Sequence, residues 1–220
     1  RFRWLSSSFA GNRGGKCVFA SELKADLREL YKINFPDTPI IEGDITKIDP
    51  HNVPSHDILC AGFPCQPFSQ AGKRQGFDDE KKRGNLFDYI CDILAVHRPE
   101  FVFLENVANL KGHDHGNTWA TILKKLTELN YDVAEPAILS PHQFGIPQHR
   151  RRIYIVCRNR DYGNLDNFSF PIGEERDLHI NDIINPNDKE YIPLKPVTRH
   201  QMEVWEKFIH LCVKHIGYVP

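Results

Sequence analysis

No apolar run in the 220-residue chain approaches the ~20 residues needed to cross a bilayer, and the amino end carries no signal-peptide pattern. A membrane-spanning or exported protein is therefore not the starting expectation; a cytosolic one is. The density and spacing of a disulfide scaffold are also missing: Cys17, Cys60, Cys65, Cys91, Cys157 and Cys212 lie far apart, mostly within apolar stretches, and read as reduced thiols. Neither sign of charge is in excess, with 28 Lys and Arg against 29 Asp and Glu and a formal net charge of −1. Global attraction to a polyanion is thereby excluded, and any nucleic-acid binding has to come from local basic clusters. No internal repeat or low-complexity segment is visible. Metal-ligand spacing is lacking as well, since His51, His56, His113-Asp114-His115 and His149 form no recognised pair with one another or with Cys60 and Cys65, and no metal is expected.

Local basic clusters are present, at Lys73-Arg74, Lys81-Lys82-Arg83 and Arg150-Arg151-Arg152. Short apolar runs alternate with longer stretches of helical periodicity, which predicts repeated βα units, an α/β fold and a largely parallel sheet. Strands are expected at Cys17 to Ser21, Pro39 to Glu42, Asp57 to Ala61, Phe101 to Leu104, Tyr131 to Leu139 and Ile153 to Cys157. Helices are expected at Leu23 to Asn34, Leu86 to His97 and Thr118 to Asn130, the last two stopped by Arg98-Pro99 and Asn130. One main domain over residues 1–160 is the natural division, followed over 161–220 by a polar, Asp-, Asn- and Pro-rich linker and one helix. That helix is expected to be capped by Thr198, to carry an apolar stripe of Met202, Trp205, Phe208, Ile209 and Cys212, and to end at Gly217.

In an open parallel sheet ligands bind beyond the carboxyl ends of the strands. Those ends carry Glu22, then Glu42-Gly43-Asp44, then Gly62-Phe63-Pro64-Cys65, then Glu105-Asn106. A single acid there is as often a helix cap as a ligand; three acidic ends and a thiol in register are not so easily explained. Pro64 and Pro67 fix φ on either side of Cys65-Gln66 and bias the preceding residues to extended conformations, which holds the thiol on a stiff turn. Cys17, Cys60, Cys91 and Cys157 fall instead within expected strands or a helix and read as inert buried cysteines.

Pro64-Cys65-Gln66, Glu105-Asn106-Val107 and Gln148-His149-Arg150-Arg151-Arg152, in that order, resemble the signature series of the bacterial-type cytosine-C5 DNA methyltransferases. With weaker matches at Glu22, Asp44 and Gly84-Asn85-Leu86-Phe87 the resemblance runs from about Cys17 to Arg158. It implies a Rossmann-like S-adenosylmethionine-dependent methyltransferase fold with helices on both faces of the sheet. It also implies that Cys65 adds to C6 of a flipped-out cytosine, that Glu105 bonds N3 and Arg152 bonds O2, and that Gln148 and Arg150 belong to the same catalytic group. A base inside a duplex is out of reach, so the target has to leave the stack. The polar segment Gln66 to Arg83 then resembles a loop closing over DNA, with Gln66, Ser69, Lys73, Arg83 and Asn106 as substrate-side residues. For the cofactor, S-adenosyl-L-methionine with S-adenosyl-L-homocysteine as product, the resemblance assigns Glu22 to the ribose hydroxyls and Asp44 to the adenine amino group. Leu23 and Ile45 pack on the adenine, and Pro64 and Leu86 form further walls. Double-stranded DNA, a cognate restriction endonuclease, a monomeric state and a cytoplasmic, nucleoid-associated bacterial setting complete what it implies.

The pattern is not matched everywhere. Phe9-Ala10-Gly11-Asn12-Arg13-Gly14-Gly15 resembles the family's glycine-rich cofactor turn only superficially, since no strand precedes it; the true turn is expected just before Arg1, and a target-recognition domain after Pro220. Two other readings use the same residues. One is an RNA cytosine methyltransferase acting on transfer RNA, and the other a nucleic-acid-binding fragment without activity.

Overall fold

The computed structural model describes residues 15–64, 86–174, 177–179, 181, 183–185 and 195–216. It divides into two compact units, Arg1–Leu178 and His179–Pro220. Within the first, the elements run β1 (Ala20–Ser21), α1 (Ala25–Asn34), β2 (Ile41–Glu42), β3 (Ile58–Gly62), α2 (Leu86–His97), β4 (Phe101–Val107), α3 (Asn117–Glu128), β5 (Tyr131–Val133), β6 (Ala137–Leu139) and β7 (Arg152–Asn159). The second holds α4 (Pro196–Ile216). No helix among the described residues is long and apolar enough to cross a membrane.

β1 and β2 pair in parallel, Ala20 with Ile41 and Ser21 with Glu42. A second sheet runs β3-β4-β7-β5, with β6 also on β7. β3 and β4 are parallel, whereas β7 is antiparallel to β4, β5 and β6. It follows that β3 to β6 all point one way and β7 alone is reversed, so the sheet is mostly parallel and, flanked by helices, forms the expected α/β fold.

Local chemistry accounts for most boundaries. In α2, Phe87, Ile90, Ile93 and Leu94 are buried, and in α3, Thr118, Ile122 and Leu126, each set recurring at the three- and four-residue spacing of one helix face. Both stops fall where expected, with Arg98 and Asn130 in left-handed conformations at φ 47° and 68°. The ammonium of Lys125 on α3 bonds the carboxylate of Asp88 on α2. In β4 burial alternates, Val102, Leu104 and Asn106 facing the core. Tyr131 is fully buried and still satisfied, because its hydroxyl donates to the Pro99 carbonyl at 2.9 Å.

Four expectations are corrected. The stretch Tyr131 to Leu139 is not one strand: three residues separate Val133 from Ala137 while two separate their partners Cys157 and Tyr154, so an extra residue bulges out beside Pro136, which has no N–H for the ladder. The first strand is confined to Ala20–Ser21, with Cys17 before it. β4 runs on to Val107, past the expected stop at Leu104, because β7 supplies partners as far as Arg152. Thr198 lies inside α4, which starts at Pro196, a residue pre-organised for a first helical turn. Gly217 lies outside the described residues.

After β7 the chain turns back. The Leu165 amide donates to Asp132 at 2.9 Å and the Glu174 amide to the Gln143 carbonyl at 3.1 Å, so residues 160–174 pack with the first unit. Elsewhere, a cavity of about 240 Å³ lies between the segment before β1 (Cys17, Val18, Phe19) and the start of β3 (Ile58, Leu59, Cys60).

Candidate active site

Glu105 is paired on one side with Gly62 of β3 and on the other with Tyr154 of β7, and Val107 is paired with Arg152. Directly opposed residues share a sheet face, as do residues two apart, so Glu105, Val107, Arg152 and Tyr154 present their side chains together. Arg152 Nε donates to Glu105 Oε1 at 2.8 Å, and both side chains are mostly shielded from water, at 22% and 28% exposure. The guanidinium also donates through Nη1 to the Arg151 carbonyl at 2.8 Å, which restricts its swing. Burial and then the Glu105 carboxylate push the Tyr154 phenol up, so at neutral pH it is a donor beside the pair. A carboxyl and a guanidinium distant in sequence thus converge because β7 runs backwards and delivers its first residue to the edge where β4 ends.

Cys65, Gln66, Ser69, Lys73 and Arg83 lie outside the described residues. How the chain approaches Cys65 is nevertheless defined. Asn106 is 2% exposed; its Nδ2 donates to the Phe63 carbonyl at 2.9 Å and its Oδ1 accepts from the Val107 amide at 2.8 Å. Phe63 is buried with its ring 5.1 Å from that of Phe87. The sequence grouped Asn106 with the substrate-side residues; the structure has its amide spanning from β4 to the residue two before Cys65. Asn106→Ala leaves a buried carbonyl without its donor, and urea denaturation is expected to show a loss of about 1–3 kcal/mol.

The other cysteines differ in kind. Burial pushes the Cys60 and Cys91 thiols up to about 12, and raises that of Cys157 as well. None of these three holds an appreciable thiolate at neutral pH.

Gln148 and Arg150 are exposed on the loop entering β7. The Gln148 carbonyl accepts from the His142 amide at 3.2 Å, and the His142 and His149 rings lie 4.0 Å apart. Arg150 is held by its backbone, whose amide donates to Ser140 Oγ at 3.0 Å. Ser140, His142 and Gln143 were missed by the sequence reading although a signal existed: Ser140-Pro141-His142-Gln143 has capping-box spacing with proline at the first helical position.

On the other sheet, Glu22 and Asp44 follow the adjacent carboxyl ends of β1 and β2. Glu22 Oε1 accepts from the Lys24 amide at 3.0 Å, and Asp44 Oδ1 accepts from the Thr46 amide at 3.1 Å and hydroxyl at 2.8 Å. Each carboxylate therefore braces its own turn with one oxygen, and among the described residues nothing bonds the second. Leu23 is 68% exposed beside them, Ile45 is buried, and Pro64 and Leu86 are half-buried. Two acceptors on neighbouring strand ends next to an exposed leucine suit a ligand with an apolar ring and several donors, such as a nucleoside.

A family model described as C-5 cytosine-specific DNA methylase matches residues 6–215. The type II methyltransferase M.HpaII of Haemophilus parainfluenzae is 50% identical, over 73% of this chain and 44% of its own length. The type II methyltransferase M.HhaI of Haemophilus parahaemolyticus is 42% identical, over 80% of this chain and 52% of its own. The chain thus spans about half the length of the curated relatives it matches. Among solved structures, a DNMT2 variant of Spodoptera frugiperda superposes with a TM-score of 0.51 at 28% identity, covering 76% of this chain and 47% of that one. The Entamoeba histolytica methyltransferase EhMeth gives 0.56 at 19% identity, covering 84% and 57%, a likeness of fold.

Proposed function

The chain belongs to the C-5 cytosine-specific DNA methylase family, and from that premise we propose that the protein transfers a methyl group from S-adenosyl-L-methionine to C5 of a cytosine rotated out of double-stranded DNA. The observation that carries this reading is the Glu105–Arg152 pair at 2.8 Å, set on β4 opposite Gly62, three residues before Cys65. Cytosine C5 is a weak nucleophile until something adds at C6. The Cys65 thiolate forms the S–C6 bond, the electrons of the C5–C6 double bond shift toward C5 and the N3–O2 side, and Glu105 and Arg152 stabilise that charge at N3 and O2. C5 then takes the methyl group, a base removes its proton, and the Cys65 sulfur leaves with its bonding pair as the double bond reforms. Gln148 and Arg150 precede Arg152 on the loop that enters β7, and Gln66, Ser69, Lys73 and Arg83 belong to the DNA side, whereas Asn106, buried and bonded to Phe63, braces the approach to Cys65.

S-adenosylmethionine supplies the methyl group as a sulfonium. Glu22 would take its ribose hydroxyls and Asp44 its adenine amine, with Leu23 and Ile45 against the ring and Pro64 and Leu86 as walls; two carboxylates on adjacent strand ends, each with an oxygen that nothing among the described residues bonds, support this assignment. A monomer in the bacterial cytoplasm, acting in a restriction-modification system with a cognate endonuclease, fits the kind of relatives the chain has.

The test uses the full protein with S-adenosylmethionine labelled in the methyl group, offered duplex DNA and transfer RNA in parallel. Label in 5-methylcytosine of the DNA alone is the expected result. Label in the transfer RNA instead transfers the mechanism to an RNA substrate, and label in neither overturns the proposal.

A further inference from the structure

We propose that Ser140 is a positioning residue for the Arg150–Arg152 segment: its hydroxyl fixes where the polypeptide enters β7 and so where the Arg152 guanidinium meets its substrate. The inference rests on the methyltransferase reading and adds a residue outside its three signature motifs.

Ser140 directly follows β6, whose last residue, Leu139, pairs with Arg152. Continued pairing would set Ser140 against Arg151, but β7 begins at Arg152 and the segment before it is not in the ladder. A side chain closes the loop in its place. Ser140 is 3% exposed; its Oγ accepts from the Arg150 amide at 3.0 Å, while its carbonyl accepts from the Gln143 amide at 3.0 Å. The same hydroxyl is hydrogen-bonded to His142 Nδ1, 2.9 Å away.

The same turn is loaded from outside. Gln143 Oε1 accepts from the Ser140 amide at 3.0 Å, while the Gln143 carbonyl accepts from Glu174. A Cβ on Gly173 would lie 2.5 Å from Gln143 Cβ, so the returning chain seats directly on this turn. Ser140 is thus held by β6 before it and by the 3-10 turn Pro141–Phe144 after it, on which the returning segment packs, and its hydroxyl reaches the backbone of the arginine loop. A group held this firmly can transmit position to its neighbour, and displacements of about 1 Å at a reacting group cost on the order of a hundredfold in rate.

The experiment compares wild type, Ser140→Ala and Ser140→Thr in the full protein. It measures the single-turnover rate of adduct formation on 5-fluorocytosine DNA, steady-state kcat and KM for DNA, and thermal melting. Ser140→Ala is expected to lower kcat and the adduct rate by about ten- to a hundredfold with KM for DNA nearly unchanged, and Ser140→Thr, which keeps the hydroxyl, to recover most of the loss. A Ser140→Ala protein that melts earlier but reacts at the wild-type rate per folded molecule has lost only stability, and overturns the proposal. Equal losses in Ala and Thr variants overturn it as well. If wild type forms no adduct and transfers no methyl group, the methyltransferase reading fails rather than the role of Ser140.

Discussion

Cys65→Ala is expected to form no covalent adduct with 5-fluorocytosine DNA and to lose methyl transfer by at least about 10⁴-fold, the scale on which an enzyme loses its attacking atom. The other thiols make the result specific. Cys60, Cys91 and Cys157 are all held well above the neutral range by burial, so their replacement should leave the adduct intact. Cys91→Ala is the most informative control, because it sits on α2, only half-buried, and alters no strand. DNA affinity in Cys65→Ala should be kept, since the basic clusters are untouched, and a gel shift with unmodified duplex checks this. An adduct that persists in Cys65→Ala and disappears in Cys91→Ala would reassign the nucleophile.

The second large effect is expected at Glu105. Glu105→Ala removes the group assigned to N3 and also strips Arg152 of its partner at 2.8 Å, so both groups proposed to act on the base are disturbed at once. The single-turnover rate should fall about 10²- to 10³-fold, the range for loss of one fixed group at a developing charge. Glu105→Gln should fall less. Its amide oxygen can still accept from Arg152 and its amide N–H can reach N3, yet it has no carboxyl proton to share. The order wild type, Gln, Ala in adduct rate, with melting temperatures close together, is the signature of a chemical role. Equal rates for the Ala variant and wild type would leave Glu105 as a structural partner of Arg152 only.

Much of this was legible in the residues. The runs around Cys60, Phe103 and Ile155 are apolar and bounded by turn signals, and all became strands, because burial on the core side leaves little choice of residue there. The Arg98-Pro99 step and Asn130 announced the ends of α2 and α3, the proline because it disfavours helix in the residue before it and the asparagine because it tolerates the left-handed conformation. The bulge beside Pro136 was hidden, since the split depends on the register against β7, a property of two segments together. The strand ends singled out Glu22, Asp44 and Glu105, but that same rule could not find Arg152: it is the first residue of its strand, and only the reversal of β7 carries it to the edge where β4 ends. Ser140 escaped because a serine beside a proline in a polar stretch looks like any turn, and its value comes from an amide ten residues later. The proposal of Cys65 as nucleophile rests on chemistry and resemblance, with Asn106 accounting for how the chain is held just ahead of it.

β7 carries a further consequence. It has hydrogen-bonded neighbours on both flanks, β4 along one and β5 and β6 along the other, and Ile153, Ile155 and Cys157 have no solvent exposure at all. Such a strand cannot open without dismantling the sheet around it, so its amides belong to the last group to exchange with deuterium, released only by global unfolding. The guanidinium at its head is therefore anchored to the part of the protein that fluctuates least, and denaturant should extinguish the chemistry in step with the whole fold rather than ahead of it.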